Sequence, residues 1–243
     1  YSTDSEVLHE LARYHSVPGL IVRYRELYKL KSTYVDALPY YINDQTGRVH
    51  TTFWQTSVAT GRLSSTDPNL QNIPLNDTEF SLRSAFKAPP GEKFISADYS
   101  QMELRILAHL SQDPALIGAF LNQEDIHTKT AAGLFAVSVD EVTSSQRQLA
   151  KRINFSILYG LTPYGLSKDL GISLSEAKEY IQAYMAHYPG VQRWMEDVIK
   201  FSHDKGYVTT MYGRRRYIPG IYEKNRTLYD LAKRVAINTV VQG

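Results

Sequence analysis

The sequence predicts an α+β fold that is mostly helical, and three observations point to it. From Gln101 to Lys205 helical periodicity runs almost without interruption. Before it, a turn-forming Asp44-Gln45-Thr46-Gly47 separates two short stretches of strand character, Tyr40 to Ile42 and Arg48 to Phe53. Between these regions Lys93 to Asp98, KFISAD, reads as a strand that leaves an acidic residue at its C-terminal end.

Taken in order, residues 4 to 35 read as mostly helical. Residues 59 to 74, ATGRLSSTDPNLQNIP, are rich in turn formers and polar groups, and an ordered loop is expected there. Helices are expected over about 101–110, 113–121, 127–136, 145–159, 163–170, 174–187 and 190–205. A brief strand near Tyr207 to Met211 follows, then another helix from about 223. The sequence contains no internal repeat, low-complexity tract or flexible linker.

The 243 residues allow one large domain or two small ones. A hydrophobic share of 43% with 21% charged residues excludes wholesale disorder and fibrous order. The absence of cysteine excludes disulfides, thiolate metal sites and cysteine nucleophiles, so any metal must sit on oxygen or imidazole ligands; a reducing compartment fits. The longest apolar stretch, around Ala131 to Val139, is far short of the ~20 residues of a membrane helix. The N-terminus carries neither an initiator methionine nor a signal peptide, and Val240 to Gly243 stop without a polar tail. A piece of something longer is expected.

The net charge of +2 is unevenly spread. Residues 200–243 hold nine Lys or Arg against Asp204, Glu223 and Asp230, a segment of +6 on a remainder of −4. A basic end on a near-neutral protein fits a polyanionic partner, and equally a solvated charged face.

The helix after Thr143 carries the most chemical information. Ser145 and Gln148 match a capping box that starts it near Gln146, and Gly160 is a natural stop. Arg147, Lys151, Phe155 and Tyr159 recur every four residues. Each step turns by only ~40°, so they form one stripe about 18 Å long with cations at its N-terminal end and aromatics at the other. An arginine in a first helical turn conflicts with the helix dipole, and an anion would resolve the conflict. The order cation, cation, aromatic, aromatic fits a nucleoside triphosphate laid along the helix. The competing reading is an amphipathic helix with snorkelling cations and core aromatics, which spacing alone favours.

Asp98, at a strand end, can hold magnesium through oxygen, although a helix cap is the commoner use of such a residue. Two-metal phosphoryl transfer needs a second carboxylate, and Glu103 lies on the following helix. His127 after Asp125 reads as a satisfied histidine at a helix start. Gly213 to Tyr217, GRRRY, would suit a phosphate backbone or a solvated basic loop. Arg234, Asn238 and Gln242 share one helical face and can read base edges, an ordinary polar face being the simpler account.

These residues lie in blocks that resemble the family A DNA polymerases: TGRLSSTDPNLQNIP at 60–74, DYSQMELRILAHLS at 98–111, DIHT at 125–128, RQLAKRINFSILYG at 147–160, YGRRRYIP at 212–219 and the closing RVAINTVVQG. Six blocks in order, over nearly the whole chain, make the likeness specific. It implies a mostly helical fingers subdomain attached to part of an antiparallel-sheet palm. Residues 1–38 would end the thumb, 39–105 begin the palm, and 106–243 form the fingers and the helix returning to the palm. It implies template-directed DNA synthesis, with primer-template DNA and deoxynucleoside triphosphates as partners, two magnesium ions as cofactors, no membrane, a cytoplasmic location and a monomeric full-length protein.

Carried over residue by residue, the resemblance makes Asp98 the first catalytic carboxylate and a metal ligand, with the Tyr99 carbonyl beside it. It makes Arg147, Lys151 and His127 triphosphate contacts, Lys151 also the proton donor to pyrophosphate. Phe155 packs on the incoming nucleotide, Tyr159 stacks at the templating position, and Glu103 excludes a ribose 2′-hydroxyl, with Gln101 beside it at the nucleotide. Arg62, Asn72, Arg234, Asn238 and Gln242 contact DNA.

Two departures bear on activity. The family's second catalytic aspartate lies in a His-Asp-Glu hairpin beyond the segment matching Val241-Gln242-Gly243, while His203-Asp204-Lys205 precedes the YGRRRY block and has Lys where Glu is needed. The chain alone is therefore expected to be inactive. Ser156 stands where many relatives carry glycine, a change expected to be tolerated. The alternatives are a non-catalytic nucleic-acid or nucleotide binding module, and a single-subunit RNA polymerase, against which Glu103 argues.

Overall fold

The computed structural model describes residues 2–74, 81–160 and 162–243. They form two compact units, one of residues 1–58 and 63–96, the other of residues 59–62 and 97–243.

The first unit starts with two helices, α1 (Ser5–Leu11) and α2 (Ser16–Leu30), the latter followed by a π-helical turn at Lys31–Val35. The turn-forming 44–47 segment closes as expected: the Asn43 side-chain oxygen accepts from the Gln45 and Thr46 amides at 3.0 Å each, and Gly47 supplies φ +63°. It joins β1 (Ile42–Asn43) to β2 (Arg48–Val49), antiparallel with Ile42 opposite Val49. The expected strand 48–53 splits, since Thr52–Trp54 form a separate β3 paired with β4 (Ser64–Thr66), Phe53 opposite Ser65. Part of the expected 59–74 loop is thus a strand. Its cause is polar: the Thr51 hydroxyl lies 2.6 Å from the Ser65 hydroxyl and donates to the Pro68 carbonyl at 2.8 Å, and Trp54 Nε1 donates to Thr66 Oγ1 at 2.8 Å.

The expected KFISAD strand does not form. Residues 92–99 belong to no ladder, and Phe94 and Ile95 are 70% and 92% exposed. Strand propensity is realised only against a neighbour, and no described residue pairs with this segment.

The second unit is a helical assembly: α3 (Met102–Ser111), α4 (Pro114–Leu121), α5 (Ile126–Phe135), α6 (Ser144–Leu158), α7 (Pro163–Leu170), α8 (Leu174–His187), α9 (Pro189–Lys205) and α10 (Arg226–Gln242). A hairpin of β5 (Tyr207–Thr209) and β6 (Arg215–Tyr217) precedes α10. Side-chain caps start six of these helices, from Asp113, Asp125, Thr143, Thr162, Ser173 and Asn225. The box on α6 is Thr143 with Gln146, not Ser145 with Gln148, so the helix begins two residues earlier than expected. Nor does Asp98 cap α3, whose N-cap is Gln101 in the left-handed region without a side-chain bond.

The main core gathers Leu104, Leu107, Leu116, Ile126, Ile153, Leu158, Tyr184 and Tyr188, and a smaller cluster packs Val208, Ile218 and Ile221 on Ala232, Ala236 and Val240 of α10. Asp113, wholly buried, joins two elements. One carboxylate oxygen caps α4 through the Ala115 and Leu116 amides, and the other accepts the Gly190 amide of α9 at 2.8 Å. Among the described residues no helix is long and apolar enough to cross a membrane.

Candidate functional site

The site is built on α6. Its inward side buries Ala150, Ile153, Asn154, Ile157 and Leu158, which turns the four-residue stripe outward or to the margin of the core. Arg147 occupies the fourth helical position, where its amide donates to the Thr143 carbonyl at 2.9 Å. The anion expected beside it comes from the chain itself: Asp125 Oδ2 accepts Arg147 Nε at 2.9 Å and Nη2 at 2.7 Å. Burial pushes the Asp125 carboxyl up, but the Thr128 and His127 amides and the Arg147 guanidinium outweigh it and hold the group below the usual carboxylate range. Lys151, one turn on, is exposed and has no ion-pair partner among the described residues. Phe155 is half-buried, its ring centroid 5.9 Å from that of His127. Gly160 ends the stripe at φ +64° against α10, where a Cβ would stand 2.9 Å from Arg234 Cγ and 3.2 Å from its Cα.

His127 sits at the start of α5, only 3% exposed. Its Nδ1 lies 3.1 Å from the Asn154 side-chain nitrogen of α6, which also reaches the Thr130 hydroxyl at 3.1 Å; that hydroxyl in turn meets Tyr188 at 2.9 Å. Burial lowers the His127 pKa, and the charges of Arg147 and Lys151 lower it further against the opposing pull of Asp125. At neutral pH the ring is therefore uncharged, a satisfied histidine at a helix start. Asn154, Thr130 and Tyr188 gave no sequence signal, because an inward polar residue is indistinguishable from a spacing accident until its partners are known.

A second cluster joins residues far apart in sequence. Glu103 Oε2 accepts the Tyr159 hydroxyl at 2.9 Å, and Oε1 pairs with Arg62 Nη2. Burial raises the Tyr159 pKa, and the Glu103 carboxylate, as acceptor and as charge, raises it further. On α10, Arg234, Asn238 and Gln242 lie on one half-exposed face, and buried Arg234 Nε and Asn238 Oδ1 have no hydrogen-bond partner among the described residues. Arg214, which sequence reasoning treated only as part of a basic run, lays its guanidinium on Gly61, 2.6 Å from where a Cβ would be.

The remaining residues stand apart. Asn72 lies in the first unit, where its carbonyl accepts the Tyr34 hydroxyl. Gln101 takes φ +54° at the start of α3. Asp98 and Tyr99 are exposed, and no described residue hydrogen-bonds the Asp98 carboxylate. Among the described residues no group of three or more His, Asp or Glu is gathered to hold a metal ion. Asp98 with the Tyr99 carbonyl still fits magnesium in kind, because that ion commonly takes one or two protein oxygens and completes its shell with water and substrate phosphates.

The family description DNA polymerase family A matches residues 1–243, the whole chain. The chain belongs to DNA polymerase family A. It is 49% identical over 244 residues to DNA polymerase I of Caldicellulosiruptor bescii, covering all of this chain and 29% of that protein. It is 48% identical to DNA polymerase I of Pseudomonas aeruginosa, with 27% of that protein covered, and 49% identical to the Bacillus subtilis enzyme, with 28% covered. The solved polymerase domain of Pol1 from M. smegmatis, in complex with a DNA primer-template and dNTP, superposes with a TM-score of 0.88 at 42% identity. That match covers all of this chain and 43% of that domain. The chain thus spans under a third of the curated relatives' length.

Proposed function

We propose that this chain is the nucleotide-gripping part of a template-directed DNA polymerase, which adds deoxynucleoside triphosphates to a primer 3′-hydroxyl. The observation that carries the reading is the α6 stripe: an arginine held by Asp125, an exposed lysine with no ion-pair partner among the described residues, and two partly exposed aromatics at four-residue intervals. The M. smegmatis relative, solved with primer-template and dNTP, supports the same partners. Arg147 and Lys151 bind the triphosphate, and Lys151 passes a proton to the departing pyrophosphate. Phe155 packs on the nucleotide, Glu103 bars a 2′-hydroxyl, and Tyr159 stacks beside the template. His127, Gln101 and the DNA-contacting Arg62, Asn72, Arg234, Asn238 and Gln242 keep their family roles; His127 does so as a neutral donor or acceptor. Asp98 and the Tyr99 carbonyl are the oxygens that would hold magnesium, which when bound neutralises charge on the phosphoryl group in transfer.

The thumb, palm and fingers boundaries at 38/39 and 105/106, a monomeric full-length protein and a cytoplasmic location belong to the same proposal. So does inactivity of the 243 residues alone, for want of the second carboxylate. Single-nucleotide extension of a recessed primer tests both statements: none by this chain, and extension by the longer polymerase that Asp98→Ala abolishes. For the nucleotide grip, Lys151→Ala should weaken deoxynucleoside triphosphate binding by about tenfold or more while leaving stability within ~0.5 kcal/mol, as an exposed unpaired side chain requires. Equal affinity in the variant refutes the reading of the stripe.

A further inference from the structure

We infer that Asp125 is a positioning residue for nucleotide binding: it orients the Arg147 guanidinium toward the terminal phosphates while fixing the start of the helix that carries His127. The inference rests on the stripe being a triphosphate site.

One carboxylate performs both tasks through separate oxygens. Oδ1 caps α5, accepting the His127 amide at 2.9 Å and the Thr128 amide at 3.1 Å. Oδ2 takes Arg147 Nε at 2.9 Å and Nη2 at 2.7 Å. A guanidinium has five N–H donors in a fixed fork, and this contact uses one edge of it. Three donors, both on Nη1 and one on Nη2, remain for an anion. The contact therefore aims the group without blocking it. As a stabilising feature it is weak, because the side chains of the pair are 37% and 40% exposed and an ion pair so open to water contributes little. Its larger consequence is that this long side chain is already ordered when a phosphate arrives.

Asn and Ser separate the two tasks. Both cap helices as well as Asp does. Asn has a single carbonyl oxygen; with that oxygen on the α5 amides, it turns an NH2 donor toward a guanidinium that accepts nothing. Ser is too short to reach Arg147 from the cap.

The test is calorimetric titration of the 243-residue chain with thymidine triphosphate and thymidine monophosphate, using wild type, Asp125→Asn, Asp125→Ser, Arg147→Ala and the Asp125→Asn/Arg147→Ala double variant. Both Asp125 variants should weaken the triphosphate by roughly three- to tenfold, the cost of ordering one long side chain on binding, without a comparable loss for the monophosphate. Arg147→Ala should weaken it at least as much, and Asp125→Asn should add nothing in that background. A fully additive double variant, or equal losses for the two nucleotides, identifies a merely structural role and overturns the inference. Unchanged or tighter triphosphate binding in the Asp125 variants, with Arg147→Ala still weakened, also overturns it and leaves the stripe standing. Absence of triphosphate binding by the wild type, or no loss in Arg147→Ala, overturns the stripe reading and the inference with it.

Discussion

Replacing Gly160 by alanine tests the packing that sets the end of the stripe against α10. The position imposes two separate costs. Its φ of +64° is left-handed, which disfavours a residue with a Cβ by ~1–2 kcal/mol, partly offset by ~0.4–1 kcal/mol from the stiffer unfolded chain. In addition the new Cβ would meet Arg234 Cγ at 2.9 Å and Arg234 Cα at 3.2 Å. The side-chain stem can swing away, but the α10 backbone cannot do so without disturbing Ala236 and Val240 in the cluster beneath it. Overpacking of this kind costs ~1–3 kcal/mol. Gly171 carries the first cost alone, since it has φ +69° but nothing within 4 Å of an added Cβ, and the difference between the two positions isolates the second. Gly171→Ala should therefore lose about 1 kcal/mol and Gly160→Ala about 2–4 kcal/mol. With an unfolding slope of ~2 kcal/mol/M in urea, the two midpoints, followed by helical circular dichroism, should differ by roughly 0.5–1.5 M. Coincident midpoints would refute the close approach of α6 and α10.

Three further perturbations have defined outcomes. Asp113→Asn keeps the α4 cap but turns a donor toward the Gly190 amide, and should lower unfolding free energy by about 2 kcal/mol; a loss under ~0.5 kcal/mol in denaturant melts would show that the α4–α9 bond is not needed. His127 and His187 are both lowered by burial, so below their ordinary pKa of ~6.5 the unfolded chain takes up protons that the folded chain does not. Stability should thus fall between pH 7.5 and 5.5, with the lowered Asp125 carboxyl adding a further loss near pH 4 and below; His127 titrating at or above 6.5 by NMR contradicts this. Tyr159→Phe removes the hydroxyl 2.9 Å from Glu103 at a position 37% exposed, and should cost about 1 kcal/mol or less. A larger loss in the melt would mean that the Glu103 carboxylate depends on that hydroxyl rather than on Arg62.

From the sequence alone the helices of the second unit are legible to within a few residues. Their capping residues and apolar periodicity are local properties, decided within one or two turns. The spacing of Arg147, Lys151, Phe155 and Tyr159 is legible for the same reason, as is the Asp125-to-Thr128 helix start. The cap of α6 is not legible in the same way, because Thr143 with Gln146 and Ser145 with Gln148 satisfy the same local pattern two residues apart, and the first pair forms the box.

Tertiary structure decided what depends on residues distant in the chain. Arg62 and Tyr159 reach Glu103 across 41 and 56 positions, and Asp125 reaches Arg147 across 22. His127 meets Asn154 of α6, and its burial between the two helices, with the charges of Arg147 and Lys151, lowers its pKa. The strand potential of 93–98 came to nothing, while Ser64–Thr66 inside an apparent loop became a strand, because a ladder exists only when a second segment supplies its hydrogen bonds. Helices close their bonds within themselves and so can be read from sequence. Pairings between helices, the partners of charged groups and the choice of strands are set by where packing brings the chain back upon itself.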